Sequence, residues 1–145
     1  MAADPIAIAS DHGGFELKAV LVQELKAAGL PVLDLGTMSD DSVDYPDFAD
    51  ALAKALADGK AKRGVLLCGT GIGVSMVANR HRGIRAAVCR DVTDARLARQ
   101  HNDANVLCLG GRVTGPEVAK DCLRTFLETK FEGGGRHARR IAKFS

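Results

Sequence analysis

The sequence predicts an α/β fold: a three-layer α/β/α sandwich, Rossmann-like, around a five-stranded parallel sheet. Three observations carry that expectation. Short apolar runs alternate with amphipathic stretches from one end of the chain to the other. At 145 residues and 46% hydrophobic content, the chain can bury one good core but not two ordinary ones. Polar residues gather just after the apolar runs, where open parallel sheets bind their ligands.

Residues 5–10 read as the first buried strand. Over residues 15–28, Leu17, Leu21 and Leu25 share one helical face, and Gly29 with Pro31 stops the helix. Residues 31–35 form the second strand. Pro46 suits the first helical position of a segment lined by Phe48, Leu52 and Leu56 and ended by Gly59. Residues 64–68 are the third strand, followed by a helix from Gly73 towards Asn79. Residues 84–89 give the fourth strand, 93–101 the fourth helix and 105–109 the fifth strand. Pro116 opens a helix running to about residue 129. After Gly133, Gly134 and Gly135, a short basic helix is expected from about residue 135. No repeat, low-complexity segment or long linker divides the chain, so residues 1–145 are read as one domain.

Composition removes several function classes. Twenty Lys and Arg face 18 Asp and Glu, and the net charge of +2 offers no electrostatic footprint for nucleic acid. Arg136, Arg139, Arg140 and Lys143 crowd the last ten residues without an acid, as either a solvated face or an anion site. There is no signal-like N-terminus, and no run nears the ~20 apolar residues of a membrane span, so a soluble cytoplasmic protein is expected. The four cysteines contain no CxxC pair, which excludes zinc-ribbon spacing and makes reduced thiols the expectation.

The polar groups at strand ends could do chemistry. Gly69, Thr70, Gly71, Ile72 and Gly73 follow a strand and open a helix. Glycines admit a ligand close to the backbone, and free amides at a helix start favour an oxyanion or phosphate. The loop lacks the Lys-Ser/Thr pair of a Walker motif. A dinucleotide fingerprint fits poorly because the spacing is GxGxG on the third strand, although Asp91 lies near the acidic position about 20 residues on.

Cys68 directly precedes this loop, where helix-start amides would favour a thiolate. Cys89, Cys108 and Cys122 read as small buried hydrophobes. Asp11 either caps the next helix or acts in a site. His101 ends a helix, where an ordinary histidine complements the dipole. His81 and His137 have basic neighbours and read as surface residues. Tyr45 lies in an Asp-Tyr-Pro turn. Arg136 and Arg140, four apart, share a helix face and would meet a phosphate if that helix reaches a site.

Taken together, Ser10-Asp11-His12-Gly13-Gly14-Phe15, Asp44-Tyr45-Pro46, the Cys68–Gly73 loop with Asn79, Gln100-His101-Asn102-Asp103 and Gly134-Gly135-Arg136-His137 form a known pattern. The chain resembles the type B ribose-5-phosphate isomerase family, which includes galactose- and allose-phosphate isomerases. The resemblance runs nearly end to end with motif order kept. Some relatives use a glutamate after the last loop glycine; here Val74 stands there and Cys68 is present, so the resemblance is to the cysteine-base branch.

The resemblance implies an aldose–ketose isomerase of the pentose phosphate pathway. It would interconvert ribose 5-phosphate and ribulose 5-phosphate through a cis-enediolate. His101 would protonate the ring oxygen of the closed sugar, and Asp11 would receive or orient the anomeric hydroxyl proton. Cys68 would then move the proton between C2 and C1, with Thr70 assisting exchange between the oxygens. Amides of Gly69, Thr70, Gly71, Ile72 and Gly73 would stabilise the oxyanion, each such donor typically worth ~3–4 kcal/mol. His12, Arg112, Arg136 and Arg140 would hold the phosphate, Asn102 the sugar hydroxyls, and Tyr45 would line the site. The resemblance further implies no cofactor, no metal, and a homodimer or dimer of dimers whose subunits share sites. The alternatives are a six-carbon phosphosugar isomerase, a nucleotide-binding module, and a hydrolase with a metal on Asp11, His12 and His101.

Overall fold

Side chains along the central strands alternate between two apolar layers, as the period of two in a strand requires. The computed structural model describes residues 3–145. Ile6 and Ile8 of β1 (Ile6–Ser10), Val65 and Leu67 of β3 (Arg63–Cys68), and Leu107 and Leu109 of β5 (Val106–Gly110) face one layer. That layer is built by α1 (Phe15–Ala27), α4 (Val92–Asn102) and α5 (Pro116–Glu128). Ala7, Ala9, Leu66, Cys68, Val106 and Cys108 face the other layer, made by α2 (Tyr45–Ala57) and α3 (Ile72–Ala78).

With β2 (Val32–Asp34) and β4 (Ala86–Val88), the sheet has five strands in the order β2-β1-β3-β5-β4, every pair parallel. The expected fold class is therefore the observed one. A short helix, α6 (Gly135–Ala142), rests on α4 near the C-terminus. No described helix is long and apolar enough to cross a membrane.

Most element boundaries fall within two residues of expectation, and the fourth strand differs most. Residues 84–89 were expected to be extended, but only Ala86–Val88 form β4. Side chains replace ladder partners at its entry: the Arg85 N–H donates to Asn105 Oδ1 at 2.8 Å. Asn79 then covers the free edge of this strand. Its amide donates to the Ala86 carbonyl at 2.9 Å and its Oδ1 accepts from the Ala86 N–H at 2.8 Å. An outermost strand thus has its open hydrogen-bonding edge satisfied by a side chain.

One buried cation fixes the loop between β2 and α2. Lys18 is 2% exposed, and its ammonium donates to Asp34 Oδ1 at 2.7 Å and to the Thr37 carbonyl at 2.8 Å. Removing one member of such a pair leaves an uncompensated charge. Lys18→Ala is therefore expected to cost about 3 kcal/mol, the low end for buried pairs because Asp34 keeps some solvent contact. Urea unfolding at fixed protein concentration measures this; a loss under about 1 kcal/mol would show the pair to be dispensable.

Candidate active site

Three glycine-rich loops meet beyond the carboxyl ends of β1, β3 and β5. The chain leaves β1 for α1 on one face of the sheet and leaves β3 for α3 on the other, so a crevice opens between these neighbours. Close backbone approach explains the glycines. A Cβ on Gly13 would lie 3.0 Å from the Gly69 nitrogen, and one on Gly71 would lie 2.9 Å from the Leu109 carbonyl carbon. Gly71 also has φ of +80°, which side-chain-bearing residues rarely adopt. The loops are bonded to each other: the Gly111 N–H donates to the Cys68 carbonyl at 2.9 Å, and the Arg112 N–H to the Gly69 carbonyl at 3.0 Å.

Cys68 ends β3 at the floor of this crevice and is 5% exposed. Its Sγ accepts from the Gly71 N–H at 3.2 Å, so a helix-start amide already meets the sulfur. Thr70 Oγ1 accepts from the Ile72 N–H at 3.1 Å. Two of the five amides expected to serve an oxyanion are thus engaged by side chains here. Tyr45 lies across the opening of α3; a Cβ on Gly73 would sit 2.6 Å from its ring. Val74 is fully buried in the α2–α3 layer and offers the crevice nothing.

Asp11 and His12 come from the loop after β1. Asp11 Oδ1 accepts from the Gly14 N–H at 3.2 Å, capping the 3-10 turn His12–Gly14. His12 Nδ1 accepts from the Val43 N–H at 3.2 Å. In a neutral ring this places the proton on Nε2, ready to donate. His12, Gly13, Gly111, Arg112 and Asp40 line a recess of about 230 Å³.

The other predicted residues lie elsewhere in the chain. His101 and Asn102 end α4, just before β5 begins, whereas Cys68 pairs with Gly110 at the far end of that strand. Four residue steps of ~3.3 Å each separate the two ends of β5, roughly 13 Å. Arg136 and Arg140 belong to α6 and are exposed on the same side as His101. Within one chain, then, the structure brings together Asp11, His12, Tyr45, Gly69, Thr70, Gly71, Ile72, Gly73, Cys68 and Arg112. It does not bring His101, Asn102, Arg136 or Arg140 to them. Among the described residues, Arg112, Arg136 and Arg140 have no carboxylate within ion-pair distance.

The expectation that His137 is a surface residue is corrected. Its side chain is 13% exposed, and its ring stacks on His101 with centroids 4.3 Å apart and planes 9° from parallel. Burial, and then the neighbouring His101 and Arg136, hold its pKa below the usual histidine value. α6 has no fully buried residue, and its half-buried face is made by His137, Ala138 and Ile141, whose helical spacing is the sequence signal for the inward turn of His137.

The geometry also weighs the alternatives. Asp91 caps α4, its Oδ1 accepting from the Asp94 N–H at 2.9 Å, which accounts for the acid that a nucleotide site would have needed. Asp11 and His12 stand at the opposite end of the sheet from His101, so they form no three-residue metal site in one chain. His101, His137 and Glu132 do bring their ligand atoms within 4.8 Å of one another. A metal must lie near the plane of each imidazole it binds, however, and two nearly parallel planes share no such point.

Comparison with known proteins decides the family. The family model described as Ribose/Galactose Isomerase matches residues 6–144. The chain belongs to the ribose/galactose isomerase family. Members similar to it include ribose-5-phosphate isomerase B of Escherichia coli strain K12, 47% identical over 94% of this chain and 91% of that protein. A D-erythrulose-4-phosphate isomerase of Pectobacterium atrosepticum is also 47% identical, over 90% of this chain and 86% of the relative. Among solved structures, a ribose 5-phosphate isomerase from Thermotoga maritima superposes with a TM-score of 0.95. It is 52% identical, with 97% of each chain covered.

Proposed function

We propose that this chain is a ribose-5-phosphate isomerase that moves a proton between C2 and C1 through a cis-enediolate, with Cys68 as the base. One observation carries the reading: Cys68 Sγ sits at the switch-point crevice, bonded to a helix-start amide, with Gly13 and the Arg112 guanidinium packed against the adjoining Gly69. The similarity to enzymes named for the same reaction supports it at 47% to 52% identity.

Each step follows from placement and chemistry. The His12 Nε2–H and the unpaired Arg112 guanidinium bind the phosphate dianion at one rim. Asp11, its Oδ1 fixed by the turn it caps, orients the anomeric hydroxyl. Cys68 takes the C2 proton as a thiolate and returns it to C1. Negative charge on the enediolate oxygens is met by amides at the start of α3, with Gly73 still free to donate. Thr70 relays a proton between those oxygens by exchanging its own bond with Ile72 for one to substrate. Tyr45 shields the reacting carbons from water. Four free cysteines are compatible with a reducing cytoplasm, which a thiol base requires.

Ring opening needs an acid, and His101 of the same chain is at the wrong end of the sheet. We place it, with Asn102, Arg136 and Arg140, in the site of a partner subunit, so that a homodimer has two composite sites. Support comes from the recess of about 500 Å³ bordered by Asn102, Asn79, Arg85 and Phe144, and from exposed Met76 on α3 and Phe144 beside α6. Such apolar side chains gain by being covered.

The test is direct. Purified protein is expected to convert ribose 5-phosphate to ribulose 5-phosphate with no added cofactor, at an unchanged rate after dialysis against EDTA. No turnover with five- or six-carbon phosphosugars would remove the isomerase assignment, and loss in chelator would restore a metal mechanism.

A further inference from the structure

We propose that His137 is a positioning residue for ring opening: its stacked ring fixes the orientation of His101, the acid that reaches the sugar's ring oxygen. The proposal rests on the role given to His101 above.

The His101 ring has no hydrogen-bond partner among the described residues, and it stands in the last turn of α4, two residues before Asp103 turns the chain with φ of +46°. A side chain so placed has no hydrogen bond to select among its rotamers. The one ordered group found against its face is the His137 ring, 4.3 Å away and 9° from parallel. An acid must be held within a fraction of an ångström of its target, and neighbouring packing is what holds it.

The connection carrying His137 is itself tied to α4, since the Glu132 N–H donates to the Gln100 carbonyl at 3.1 Å. The segment that leads to His137 is therefore anchored on the same turn of α4 that carries His101. Arg136 and Arg140 extend from α6 beside it and are exposed, so that helix presents its guanidiniums outward while His137 turns inward.

The stack works only if the two rings do not both carry charge, and the surroundings of His137 oppose its protonation. Its Nε2 is buried with no hydrogen-bond partner, so a protonated ring would bury an unmatched N–H. His101 on α4 and Arg136 and Arg140 on its own helix act in the same direction. Glu132, 3.9 Å from Nε2, is the one group acting against them. A neutral His137 can pack against the His101 ring in either of that ring's charge states, including the protonated one needed to open the sugar.

Two measurements separate this role from a structural one. Net conversion of ribose 5-phosphate requires ring opening. Exchange of deuterium from D2O into C1 of ribulose 5-phosphate requires Cys68 but no ring chemistry. His137→Ala is expected to lower kcat for ribose 5-phosphate about tenfold, less than the ~10²-fold that a 1 Å misplacement can cost. The Michaelis constant and the C1 exchange rate should stay within about twofold of the original, because a positioning role touches only the ring step. His137→Phe keeps a planar ring and is expected to restore at least half of the lost kcat.

Unchanged kcat in His137→Ala would overturn the proposal. Equal loss of conversion and exchange would do the same by showing that α6 and its arginines had moved. Failure of the phenylalanine variant to exceed the alanine variant would exclude stacking as the cause. A wild-type chain lacking both exchange and conversion would instead strike the isomerase assignment beneath it.

Discussion

Cys68→Ala is expected to abolish turnover, with a fall in kcat of at least about 10³-fold, within the range assigned to a positioned acid–base group. Nothing nearby can substitute for the sulfur. Val74, where some family members place a glutamate, is an apolar side chain fully buried between α2 and α3. Ser75 spends its hydroxyl on the Ile72 carbonyl at 2.6 Å. Asp11 is held by the turn it caps.

Chemical modification gives an independent reading of the same site. Burial pushes the Cys89 thiol up to about 12 and that of Cys122 to about 11, and Cys108 is raised well above the usual thiol value. A raised thiol pKa means that the protonated, unreactive form persists through pH 8 and above. Iodoacetamide at pH 8 is therefore expected to add one equivalent, at Cys68, and to inactivate in step with that addition. Phosphosugar should protect. Cys122→Ala supplies the control: it removes a buried atom from the α1–α5 layer and should lower stability with kcat unchanged. Normal turnover in Cys68→Ala would remove the thiol from the mechanism, whatever the alkylation pattern.

The sheet was legible in the sequence because its signal is local and repeated. Five apolar runs, each followed by a turn and an amphipathic stretch, leave few topologies open. The Cys68 loop was legible for a related reason: a strand end, a glycine series and a helix start are consecutive residues, so their chemistry can be read without knowing the fold. Strand order was not legible, because β4 and β5 follow each other in sequence while β5 alone reaches β3. The length of β4 was missed because its entry is bonded by the side chains of Asn79 and Asn105, which hydrophobic periodicity does not register.

His137 was misread for the opposite reason to Cys68. Its neighbours in sequence are arginines, and sequence neighbours suggested solvent. Its neighbour in space is a histidine 36 positions earlier, on another helix. Lys18 shows the same limit: nothing in its own helix marks the carboxylate that the next strand brings to 2.7 Å. Groups whose partners are distant in sequence carry no local mark.

The separation of Cys68 from His101 has the same origin, and it leads to the result that most sharply tests how the site is assembled. The family resemblance joins both residues in one mechanism, yet the fold puts them at opposite ends of β5. Cys68→Ala and His101→Ala proteins, each inactive alone, are to be mixed, unfolded together and refolded so that subunits exchange. If each site takes its thiol from one subunit and its imidazole from the other, a mixed dimer has one site lacking both groups and one site with both intact. Random pairing makes about half of the dimers mixed, and half of their sites work, so roughly a quarter of wild-type activity is expected for a two-fold assembly. Activity should rise with the fraction of mixed dimers, counted by native mass spectrometry of differently tagged chains. Mixed dimers that form in that proportion and remain inactive would mean that no site combines these residues across subunits. In that case an acid other than the partner's histidine would have to open the ring. Asp11, the one buried carboxyl at the Cys68 end among the described residues, would become the residue to replace.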